Sequence, residues 1–107
     1  MDRKTNIIKK NIKEFIYQVN KKFKLDKALL FGSRARGDYL IDSDVDLILI
    51  SNDFEKLPFR KRMGEVLDLW KGDVDLEVIC YTPIEFKKLK NMFGLVSQAV
   101  KEGIEIV

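Results

Sequence analysis

Three short apolar runs constrain the fold of this chain most tightly. They are Ala28-Leu29-Leu30-Phe31, then Val45 with Leu47-Ile48-Leu49-Ile50, then Val74, Leu76, Val78 and Cys80 alternating with Asp75, Glu77 and Ile79. Each is too short for a buried helix and is bounded by glycine or polar residues, so each reads as a strand. The segments around them carry helical spacing. Ile7, Ile8, Ile12, Phe15, Ile16, Val19 and Phe23 place one apolar face on a helix over 4–22. Pro58 opens a second helix, with Phe59, Met63, Val66, Leu67 and Trp70 as its apolar positions and Gly72 as a left-handed closing residue. Thr82-Pro83-Ile84-Glu85 predicts a capping box at the start of a third helix, reaching about Asn91. A further helix over 95–101 ends at Gly103, and Ile104–Val107 is compatible with a fourth strand. Residues 33–42 are polar and read as a turn or short helix. The order α-β-α-β-α-β-α-(β) predicts an α/β (α+β) fold, a small sheet of three to four strands flanked by helices.

At 107 residues, with 46% hydrophobic and 35% charged residues, the chain reads as one domain, 1–107, with one modest core. The net charge of +3 is too small to imply nucleic acid by itself. There is no histidine, which excludes Ser-His-Asp and Cys-His catalysis and any histidine metal site. Cys80 is the single cysteine, so no internal disulfide forms, and it reads as an inert buried thiol. No apolar run approaches the ~18 residues of a membrane span. The basic N-terminus lacks the apolar core of a signal peptide. A soluble cytoplasmic protein is expected.

Two segments carry candidate chemistry. Asp44 and Asp46 alternate at the start of the second strand, so both project to one side. Two such carboxylates repel unless a cation lies between them, and oxygen-only ligands favour Mg²⁺ or Mn²⁺. Asp75 opens the third strand as Asp46 opens the second, while Asp73 and Glu77 share its parity. A helical crossover makes strands two and three parallel. The end of strand one at Gly32 joins the same edge only if that strand runs antiparallel, so a mixed sheet is predicted. Upstream, Gly32-Ser33 leaves a strand with free backbone N–H groups, and Arg34 or Arg36 can add charge-assisted bonds to phosphate. A phosphate cradle just before a metal-binding acid pair fits metal-assisted transfer of a nucleotidyl group.

Simpler motifs do not account for these residues. Gly32-x4-Gly37 is followed by Asp38-Tyr39 where a P-loop needs Lys-Ser/Thr. An EF-hand beginning at Asp42 would have Leu47 in its glycine position and Asp53 in place of the final glutamate. Arg60-Lys61-Arg62 and Lys87, Lys88 and Lys90 read as solvated helix faces, and Trp70 and the phenylalanines as core.

The run from Gly32 to Leu47 (GSRARGDYLIDSDVDL), followed by Val74-Asp75-Leu76, resembles the minimal nucleotidyltransferase family of the DNA polymerase β-like superfamily. The resemblance implies that Gly32 and Ser33 hold the triphosphate of ATP and that Asp44 and Asp46 bind two metal ions. Asp75 would complete that set, and it or its metal would help activate the attacking hydroxyl. Arg36 matches a basic position of the motif. Relatives of this kind pair with a helical HEPN-domain protein as antitoxins, and some transfer AMP to a tyrosine of that toxin. The expected function is therefore a Mg²⁺-dependent protein adenylyltransferase acting as an antitoxin within a hetero-oligomer. The alternative is a non-catalytic module that neutralises its partner by occlusion. Transfer to RNA or to a small molecule ranks below both, because such enzymes carry extra domains.

Overall fold

The computed structural model describes residues 3–32, 44–92 and 94–107. Four helices are seen there: α1 (Arg3–Lys22), α2 (Phe59–Leu67), α3 (Pro83–Lys90) and α4 (Leu95–Glu102). The strands are β1 (Lys27–Phe31), β2 (Val45–Ile50), β3 (Leu76–Tyr81) and the two-residue β4 (Ile104–Glu105). The turn or short helix expected over 33–42 lies outside the described residues. The sheet order is β3-β2-β1-β4. β1 runs antiparallel to β2 and β4, and β2 runs parallel to β3, so the sheet is mixed as the sequence predicts.

The central position of β2 follows from its side chains. Leu47, Ile48 and Leu49 are all fully buried, which requires cover on both faces of the sheet. On one face Ala28, Val45, Leu47, Leu49, Val78 and Cys80 pack with Ile8, Ile12, Phe15 and Val19 of α1 and Val66 of α2. On the other, Leu29, Phe31, Ile48 and Ile50 meet Phe86 of α3 and Val96 and Ala99 of α4. No helix among the described residues is long and apolar enough to cross a membrane.

The start of α3 is as the sequence predicts. Thr82 Oγ1 accepts from Glu85 N at 3.3 Å, and Glu85 Oε1 accepts from Thr82 N at 2.8 Å. A 3-10 turn over Asn52–Lys56, which the sequence reading omits, is held by Ser51. Its Oγ accepts from Asp53 N and donates to Lys24 O.

Four expectations are corrected. Arg62 is not on a solvated face: it is 5% exposed. Its guanidinium donates to Leu57 O (3.1 Å), Cys80 O (3.2 Å) and both oxygens of Glu85 (2.6 and 3.4 Å), tying α2, β3 and α3 together. Gly72 does not close α2 in a left-handed conformation. That helix ends at Leu67, and the positive-φ glycines among the described residues are Gly32 and Gly94. What Gly72 supplies is room, because a Cβ there would run into the Trp70 ring. That ring is half-buried, edge-on to Phe15 with centroids 5.7 Å apart, and its Nε1 donates to Val74 O at 2.8 Å. Phe59 is surface, not core: it stacks on Tyr81 with centroids 5.7 Å apart. The last strand spans two residues instead of four.

Cys80 is fully buried, and burial pushes its thiol up to about 12, against a smaller opposite pull from Arg62. A value raised on folding favours the fold fully below the thiol's ordinary value of 9.0, and that contribution is lost as pH climbs toward 12. Reaction with Ellman's reagent at neutral pH should be roughly 100-fold slower in the native protein than in guanidinium. Equal rates would mean that the thiol is accessible.

Candidate active site

Three elements meet at one end of the sheet: the C-terminal end of β1 and the N-terminal ends of β2 and β3. The antiparallel register sets Phe31 opposite Asp46, so Gly32 leaves β1 beside the start of β2. Gly32 has φ 73°, in the left-handed region. A Cβ built on it would overlap Asp46 Oδ2 and stand 3.2 Å from Asp46 Cγ. The Asp46 carboxylate thus lies directly against the Gly32 backbone, an approach that a side chain at position 32 would block.

The parallel register sets Asp46 opposite Glu77. Val45 N donates to Asp75 O at 2.9 Å, which continues the ladder and places Asp44 level with Asp75. Alternate residues share a face, so Asp44, Asp46, Asp75 and Glu77 belong to the face covered by α3 and α4. Asp44, Asp75 and Glu77 are exposed and Asp46 is half-buried. Among the described residues, no group of three or more His, Cys, Asp or Glu side chains is gathered closely enough to hold a metal ion. The expected carboxylates therefore share one end of the sheet without forming a closed cage. Ser33, Arg34 and Arg36 lie outside the described residues.

This donor set fits one class of cation. Its atoms are carboxylate oxygens on two adjacent strands, open to solvent, with a glycine backbone against one of them. Mg²⁺ takes one or two carboxylates and completes its shell with waters and substrate phosphates, so it needs no protein cage. Glu77 is the further carboxylate that the register brings level with Asp46. Its parity is visible in the sequence, but only the strand pairing selects its partner.

Gly32→Ala is expected to destabilise the chain by about 2 kcal/mol, from left-handed strain and displacement of Asp46. Urea unfolding measures this, and an unchanged midpoint would contradict the Gly32–Asp46 contact.

Residues 12–106 match the sequence profile of a family described as a nucleotidyltransferase domain. The chain belongs to that family. Two relatives from Methanocaldococcus jannaschii are each described as a candidate protein adenylyltransferase. One is 32% identical over 98 residues, covering 89% of this chain and 94% of the relative. The other is 42% identical over 99 residues, covering 91% and 75%. A crystal structure at 1.40 Å resolution of a candidate nucleotidyltransferase from Sulfolobus solfataricus is 30% identical. It covers 90% of this chain and 76% of that one with a TM-score of 0.64. This nucleotidyltransferase domain thus shares its overall fold with a solved protein of similar sequence.

Proposed function

We propose that this nucleotidyltransferase domain, residues 1–107, transfers AMP from ATP to a hydroxyl of a protein partner and so acts as an antitoxin. The observation that carries this reading is the Asp46 carboxylate lying against Gly32 at the sheet end shared with Asp44 and Asp75. The two relatives described as candidate protein adenylyltransferases favour a protein acceptor.

In the reaction the acceptor oxygen attacks the α-phosphorus of ATP. The bond from that phosphorus to the bridging oxygen breaks, and pyrophosphate leaves. The hydroxyl proton passes to a base at the site, a role we assign to Asp75. Asp44 and Asp46 would hold Mg²⁺, with Asp75 completing the set; when bound, the ion supplies positive charge against the triphosphate. Gly32, Ser33 and Arg36 would seat the phosphates through backbone N–H, hydroxyl and guanidinium donors. The free thiol and the use of ATP suit a cytoplasmic setting, and the partner proposed is a HEPN-domain protein.

The test compares ATP labelled at the α- and γ-phosphorus, incubated with Mg²⁺, this chain and, as the proposed toxin partner, the protein encoded by the adjacent gene. Only the α-label should appear on the partner, and a chelator should abolish it. Inhibition of the toxin with no label transferred would favour occlusion, and absence of both effects would reject the antitoxin role.

A further inference from the structure

The sheet face beneath α1 and α2 is covered unevenly. α1 and α2 pack with residues of β1, β2 and β3, and no β4 residue belongs to that buried cluster. At the β4 end, Ile12 and Ile16 of α1, Leu30 of β1, and Ile104 and Ile106 line an open groove of about 490 Å³. Leu30 is paired with Ile104, so both point to the α1 face. Ile104 is 48% and Ile106 37% exposed, high values for adjacent aliphatics on a sheet edge.

Two lysines, Lys9 and Lys13, stand at the groove. Residues 6–13 hold Lys9, Lys10 and Lys13 with no acidic residue among them. Bases in the first half of a helix oppose its dipole, so local helix energetics do not account for them.

We infer that this groove docks an acidic amphipathic helix of a partner protein, filling the helix position left empty beside α1. The lining residues 9, 12, 13 and 16 form ridges along α1 that a helix can interlock with. β4, at two residues, is too short to template an added strand. A second copy related by two-fold symmetry would bring lysine against lysine, which disfavours self-association. The groove lies on the face opposite the carboxylates, so a bound helix leaves Asp46 uncovered. The inference therefore stands apart from the proposed chemistry.

The probe is a fluorescein-labelled peptide of about 18 residues, five helical turns, with leucines at i, i+3, i+4 and i+7 and glutamates elsewhere. A second peptide carries lysines in place of the glutamates. Anisotropy should show the glutamate peptide binding at least about tenfold tighter than the lysine one, and more weakly as salt rises. Ile104→Glu and Lys13→Glu, both at exposed positions, should each weaken it about tenfold with unchanged circular dichroism. Equal binding of the two peptides, no binding of either, or indifference to both substitutions would overturn the proposal. So would a dimer in sedimentation that Ile104→Glu dissolves.

Discussion

Asp46→Asn is expected to cut AMP transfer by roughly 100- to 1,000-fold, the usual loss when one preorganised charge contact at a reacting centre is removed. The amide keeps the shape of the side chain against Gly32 but takes away a negative charge. A hard cation then loses one of its few protein ligands. Stability should change little, because the amide is isosteric with the carboxylate and keeps the side chain against Gly32. The urea midpoint should therefore hold while transfer collapses. Transfer of labelled AMP at matched protein concentration, alongside urea unfolding, measures both. Unchanged transfer in Asp46→Asn would remove this carboxylate from the chemistry, and a large fall in the midpoint would make it a folding residue.

The largest stability effect is expected at Arg62. Arg62→Ala leaves the Leu57 and Cys80 carbonyls without their donor and Glu85 without its cation. Breaking a buried ion pair costs 3–5 kcal/mol, and the Glu85 side chain is 40% exposed and can recover water, so about 3 kcal/mol is expected. For a domain of this size that lowers the melting temperature by roughly 10–15 °C. Arg62→Met, which keeps the apolar stem, should lose less. The pH dependence has a definite sign. The hydrogen bond from Arg62 holds the Glu85 carboxyl below its ordinary value, with Thr82 contributing less and burial opposing. A value lowered on folding means that the stabilisation is present above the ordinary carboxylate range and is lost as pH falls through the folded value. Wild type should therefore weaken between about pH 5 and pH 2 more than Arg62→Met does, as thermal melts across that range would show. A loss below about 1 kcal/mol in Arg62→Ala would mean that the pair contributes no more than a surface bridge.

What the sequence reveals here depends on how local the cause is. The capping box is written in Thr82 to Glu85, four consecutive residues, and forms as read. The central place of β2 is written in Leu47 to Ile50, because such a run needs cover on both faces. The mixed sheet follows from one helical crossover and the direction of one chain end. Arg62 could not be read in this way. Its partners Leu57, Cys80 and Glu85 come from separate parts of the chain and become neighbours only after β3 has paired. Ser51 likewise holds its turn through Lys24, 27 residues away. At the candidate site, alternation placed Asp44 and Asp46 on one side. The contact between Gly32 and Asp46 depends on antiparallel register, which no residue type announces.

The position of Asp46 also bears on how the sheet chooses its alignment. β2 is hydrophobic on both sides beyond its second residue, so greasy contacts alone discriminate weakly between neighbouring alignments. Sliding β2 by a single residue would turn Asp46 inward, toward Phe15 and Val19, where a bare carboxylate is very costly. The same acid would thus act as a proofreader during folding, rejecting the misaligned strand before any substrate arrives.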